Sequence, residues 1–224
     1  MASIIIAGDT SGAITLASPA VAGSNTLTLP SSTDTLVGKA TTDTLTNKTL
    51  TAPAISSAVM TTMASSVLTS GTAVASTSGT SKDFTGIPSW VKRITVMFSG
   101  VSVNGTSGVL IQLGVSGTPE TTGYSAMCAT VTTTNNTTRG TTFTTGFPTA
   151  YANGAADSYS GSMVFTLLSS NTWTCMSTLY DAPGPSIQLI SGVKGLAGTL
   201  NMVRLTTVNG TDTFDAGSIN ILYE

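Results

Sequence analysis

Ten carboxylates are what this 224-residue chain offers for acid–base chemistry: eight Asp, and two Glu at positions 120 and 224. It has no histidine. Without an imidazole there is no Ser-His-Asp triad, no Cys-His pair and no His-ligated zinc or iron. Cleavage of a glycosidic bond needs two carboxyls roughly 5 to 9.5 Å apart. Asp157, Asp181, Asp212 and Asp215 could supply such a pair, but nothing in their spacing brings them together, and Asp212 and Asp215 read first as turn formers flanking Phe214. Cys128 and Cys175 match no metal spacing; they read as buried thiols, or as a bridge if their strands are neighbours. The glycines from Gly192 to Gly198 lack the Gly-Lys-Ser/Thr of a phosphate loop. The expectation is a non-enzymatic protein with no catalytic residue, metal or cofactor.

Binding has better material. Sugars are held by aromatic faces stacked on the ring, with Asn, Asp, Arg and hydroxyl groups fixing the ring substituents. The stretch from Thr133 to Gly161 mixes those types: Arg139, Phe143, Phe147, Tyr151, Asn153, Asp157 and Tyr159, with Asn135 and Asn136, lie among small residues. A loop of that length is rarely idle, although Arg139 to Thr145 also reads as a strand. The competing reading makes Phe143, Phe147 and Tyr151 a plug at the end of a folded domain. Trp90 and Trp173 read as core residues.

Those residues must be carried by strands. Threonine and serine make up 44 and 29 residues, which favours β structure with a neutral hydroxyl surface over helices. From Asp83 onward the alternation repeats: Ile94, Val96, Phe98; Val109, Ile111, Leu113, Val115; Met163, Phe165, Leu167; Trp173, Cys175, Leu179; Ile219, Ile221, Tyr223. Asn104-Gly105 and Asn209-Gly210 are hairpin-turn signals. The pattern predicts an all-β C-terminal domain over 83–224, about eight strands in a jelly-roll-like antiparallel β-sandwich.

Only 18 residues are charged, with net charge −2, so the footprint that phosphate backbones require is missing and nucleic acid is not an expected partner. The uncharged run from Thr49 to Ser81 is broken by Ser and Thr too often to insert in a membrane as ~20 continuous apolar residues. Met1 to Ile6 has no basic run ahead of its apolar stretch, so no secretion signal is expected and synthesis in a cytoplasm is.

The N-terminal third reads differently. Ile4, Ile5 and Ile6 form a β-branched strand that would aggregate if left bare, with Ile14 and Leu16 in a second short run. Thr33-Asp34-Thr35-Leu36 returns nine residues later as Thr42-Asp43-Thr44-Leu45, and Leu27 shares the step. One such unit buries too little to offset an ordering cost of roughly 1 to 2 kcal/mol per residue, so it needs neighbours along the chain or on other chains. Met60, Met63, Val67 and Val74 fit heptad positions; this segment is either a short helix packed against its copies or an extended linker. Gly71 to Lys82 has the composition of a hinge.

The run Ala40 to Pro53, with Gly12 to Leu16 and Asn25 to Pro30, resembles the attachment and shaft region of tailed-bacteriophage fibre proteins. Asp83 to Val96 and Phe214 to Tyr223 resemble the distal domains of such fibres. The resemblance implies an elongated homotrimer in the virion. Residues 1–25, including Ile4, Ile5, Ile6, Ile14 and Leu16, would attach to a tail, baseplate or other virion protein. Residues 26–82 would form shaft and hinge, and 83–224 the tip, touching host polysaccharide or lipopolysaccharide. A capsid-attached head fibre or decoration protein is the first alternative, and a polysaccharide depolymerase the second.

Overall fold

The structure is a computed structural model that describes residues 3–7, 11–17, 21, 24, 49, 68–132, 138–151 and 153–224. It divides into two units, Met1–Val59 and Met60–Glu224. In the first, β1 (Ser3–Ala7) pairs antiparallel with β2 (Ala13–Ala17), with Ile4 opposite Leu16 and Ile6 opposite Ile14. The expected attachment residues therefore occupy facing positions of one hairpin, and Gly12 takes the positive φ (80°) that its connection requires. The leucine-step repeat and the helix-or-linker stretch up to Val67 lie outside the described residues, apart from Thr49.

In the second unit the described strands are β3 (Thr69–Ser70), β4 (Val74–Ala75), β5 (Ser81–Thr85), β6 (Arg93–Val103), β7 (Val109–Val115), β8 (Thr118–Pro119) and β9 (Tyr124–Thr132). They continue with β10 (Thr138–Phe143), β11 (Phe147–Pro148), β12 (Ser158–Ser169), β13 (Thr172–Ala182), β14 (Ser186–Gly195), β15 (Leu200–Thr207) and β16 (Phe214–Tyr223). No helix occurs among the described residues. Two antiparallel sheets result: nine strands in the order β10-β9-β14-β13-β12-β6-β16-β3 with β4 also on β16, and five in the order β11-β7-β15-β5 with β8 on β7. Strands β5, β6 and β7 alternate between the sheets, as do β15 and β16, whereas β12, β13 and β14 form a meander within the larger one.

Alternation explains the layering. On β13, Trp173, Cys175, Ser177, Leu179 and Asp181 are buried while Met176, Thr178 and Tyr180 face outward, as a period of two demands. Inward residues of both sheets meet in one core, where the Phe147 ring packs edge-on against Tyr124 at 5.1 Å and against Phe165 at 5.2 Å. The arrangement is β-sandwich-like. Strand β7 is buried on both faces, including Leu110, because the chain around Gly146 lies across it; a Cβ on Gly146 would meet Leu110 Cδ1 at 2.6 Å.

Several expectations need correcting. The sandwich begins before position 83. The run from Gly71 to Lys82, read as a hinge, is stitched to β16 and β15 through Gly71 N to Ile221 O (2.8 Å), Ser76 N to Gly217 O (2.9 Å) and Thr206 Oγ1 to Thr80 O (3.0 Å). The buried Ser76 hydroxyl adds a bond to Ala216 O at 2.7 Å, and the rest of this pairing is made by the backbone, which composition does not record. The end of the heptad-like stretch, Thr69–Ser70 and Val74–Ala75, is strand. Trp90, expected in the core, is 46% exposed: it follows Pro88 in a turn outside the alternation and leans on Tyr223 at 6.0 Å. Trp173 is buried as expected. Cys128 and Cys175 are buried and free, and β14 runs between their strands.

Candidate functional site

The loop singled out from its residue types resolves into strands and a connection. Thr138–Phe143 and Phe147–Pro148 join the two sheets as β10 and β11, and residues 149–151 and 153–157 lie outside any strand at one end of the sandwich. Four of the seven proposed residues meet there. Tyr159, the second residue of β12, is fully buried, and its hydroxyl donates to Asn153 Oδ1 at 2.6 Å. Asn153 Nδ2 donates to Gly105 O at 3.3 Å, tying this loop to the β6–β7 turn. Asp157 Oδ2 accepts from Gly154 N at 2.6 Å and closes the loop on itself. Tyr151 packs on the core and its N–H donates to Gln188 Oε1 at 3.3 Å.

The other three do not join them. Phe147 is fully buried between the sheets, so neither it nor the Tyr159 ring has a face to stack on a sugar. Phe143 lies half-buried on β10 opposite Ala126, toward the other end of the strand. Arg139 occupies the position opposite Thr130, and its side chain is outside the described residues.

Sequence reasoning missed the neighbours that organise the rim. Asn209 Oδ1 accepts from Thr211 N (3.0 Å) and Asp212 N (3.1 Å), its Nδ2 donates to Asp212 Oδ1 (2.7 Å), and Asp212 Oδ2 accepts from Ser107 N (2.9 Å). Asn104 Oδ1 accepts from Thr213 N at 2.9 Å. The two Asn-Gly turns are thus laced to each other, and Gly105 leaves room for the Asp212 carboxylate where a Cβ would collide with it. Hydrogen bonds from Asn209 and Ser107 hold Asp212 below the usual carboxylate range. The signal was present: Asn-Gly at 104 and at 209 was read as turn chemistry alone.

Beneath the rim lies a buried polar cluster. Gln188 Nε2 donates to Asp181 Oδ2 (3.0 Å) and Ser186 Oγ (3.1 Å), while its Oε1 accepts from Thr130 Oγ1 (2.6 Å). Asp181 is 7% exposed, and its Oδ1 has no hydrogen-bond partner among the described residues. Burial, reinforced by the Asp157 charge, pushes its carboxyl up to about 6. Burial and then the nearby Asp181 push Cys128 up to about 12, so this thiol is unreactive at neutral pH. Tyr159 is raised by burial and by both aspartates.

No family model, curated protein or solved structure matches this chain. The site therefore has to be judged on its chemistry. Its exposed groups are amides, a carboxylate and hydroxyls on braced loops. Among the described residues no group of three His, Cys, Asp or Glu could hold a metal ion, and no helix is long and apolar enough to cross a membrane.

At the opposite end, the exposed Trp90 and the partly buried Tyr223 form an aromatic pair beside the Arg93–Glu224 ion pair. A groove of about 450 Å³ on the five-stranded sheet, lined by Gln112, Arg204, Thr206 and Asn209, is a second polar surface.

Proposed function

We propose that this chain is a structural fibre of a tailed phage: a homotrimer attached to the tail through its first 25 residues, with a jelly-roll-like tip that binds host surface glycan. The observation that carries the reading is the braced rim. Asn153, Asp157, Asn104 and Asn209 present hydrogen-bonding groups on loops fixed before any ligand arrives, which lowers the ordering cost of binding. A shallow rim of this kind binds weakly. Three copies per fibre and several fibres per particle would raise that to useful avidity.

The test uses fluorescently labelled full-length protein on bacteria infected by the parent virion. The proposal predicts saturable binding, competed by the host polysaccharide or lipopolysaccharide and reduced roughly tenfold or more by the pair Asn153→Ala and Asp157→Ala, which also lowers the thermal transition because the buried Tyr159 hydroxyl loses its acceptor, with binding measured well below that transition. Protein that ignores those cells, beside normal adsorption of virions lacking it, would favour a capsid-attached head fibre or decoration protein instead.

One observation favours a second reading. Asp157 and Asp181 lie close enough for one charge to raise the other's carboxyl, the asymmetry that glycosidase pairs exploit. A depolymerase would release reducing ends from host polysaccharide and lose that activity in Asp181→Asn. The burial of Asp181 and its engagement with Gln188 weigh toward a structural role.

A further inference from the structure

We infer that the outward face of the nine-stranded sheet, across β9, β14, β13 and β12, is covered by a second copy of this chain. The inference rests on the fibre reading only in that both require several copies.

The face is apolar and bare. Met127, Val131, Met176, Tyr180, Ile187, Leu189 and Val193 are between 38% and 74% exposed. Strand register makes them contiguous. Met127, Ser191, Met176 and Val164 form one row across the four strands, Ala129, Leu189, Thr178 and Ser162 the next, and Val131, Ile187 and Tyr180 a third. Patches of this extent on a lone protein mark interaction sites. Between Val164, Met176, Thr178 and Ser191 lies a recess of about 680 Å³ that a partner's side chain can enter.

Size and flatness select the occupant. Four strands about 4.8 Å apart, contributing nine to twelve residues each at about 3.3 Å, present roughly 650 Å². That is near the ~800 Å² per partner of a stable interface. A single extended segment about 5 Å wide covers a fraction of it, whereas another sheet packing ~10 Å away covers it whole. Charge points to self. The only charged residues on these four strands, Asp181 and Lys194, are buried on the inward side, so the face sets no charge against another copy of this chain and offers nothing to steer a charged partner.

The test is sedimentation velocity on the full-length chain carrying Met176→Lys and Leu189→Lys together. Both side chains already face water, so folding is not at risk from their loss, and circular dichroism with a thermal melt checks it. A second pair, Met176→Thr and Leu189→Thr, keeps β-forming residues without adding charge. Arg204→Ala on the other sheet is the control. The expected result is that wild type and control sediment as a multimer, the Lys pair dissociates at concentrations at least about a hundredfold higher, and the Thr pair is weakened roughly tenfold. A multimeric wild type whose Lys pair stays equally multimeric overturns this face while leaving the fibre reading intact. The same follows if that pair stays multimeric but no longer enters virions, since the face would then belong to a different protein. A monomeric wild type overturns both.

Discussion

The outward side of the five-stranded sheet carries the ion pair of Asp83 and Arg204, with Gln112 and Thr206 buried beside it, whereas β9, β14, β13 and β12 of the nine-stranded sheet turn Met127, Met176, Leu189 and Val193 outward and no charge at all. Arg204 meets Asp83 through two hydrogen bonds of 2.7 Å, Nε to Oδ1 and the terminal nitrogen to Oδ2. Both sheets share one core, so the contrast is not between an inside and an outside. It separates a face finished for water from one that is not. A chain with 18 charged residues of 224 has few to spend on solubility; where they are missing is more informative than their number.

The largest expected effect is the one that erases the contrast, Met176→Lys with Leu189→Lys, read as dissociation at least a hundredfold easier. Next comes the inward side of the same sheet. Asp181, raised to about 6, keeps a proton in the folded chain that the unfolded chain releases near pH 4. Folding stability therefore falls as pH rises from about 4 to 6. Asp181→Asn should raise stability at pH 7 by on the order of 1 to 3 kcal/mol, a gain that vanishes below about pH 4. Parallel denaturant titrations at pH 4 and pH 7 check it; an equal effect at both would mean that the carboxyl is not charged at a cost. The smallest is on the solvent face. Arg204→Ala removes an ion pair about 30% exposed at each partner and should cost no more than about 1 kcal/mol, shrinking as salt is raised, with assembly unchanged.

Much of this fold could be read from alternation, because a half-buried strand records its own burial: Ile94, Val96 and Phe98 are inward, and Trp173, Cys175 and Leu179 likewise. What failed had its cause in the backbone or in distant chain. Gly71 to Lys82 has the composition of a linker, but its order comes from bonds to β16 made mostly by the main chain, with the buried Ser76 hydroxyl adding one to Ala216 O at 2.7 Å. Trp90 was assigned to the core on residue type, while the turn after Pro88 leaves it on the surface. At the rim, Asn153 and Asp157 were legible as types. Their bracing through Gly105, and the Gln188–Asp181 cluster beneath, come from strands that only the topology brings alongside. The bare face was the hardest to foresee. Met176, Leu189 and Met127 look like ordinary outward members of separate strands until register aligns them.

Sedimentation equilibrium of the full-length wild-type chain at physiological ionic strength bears most directly on the claim that the chain is made to assemble with itself. The account predicts a single species of three times 22.5 kDa at micromolar concentration. A well-behaved species of 22.5 kDa that stays monomeric up to the highest concentration reached would contradict it.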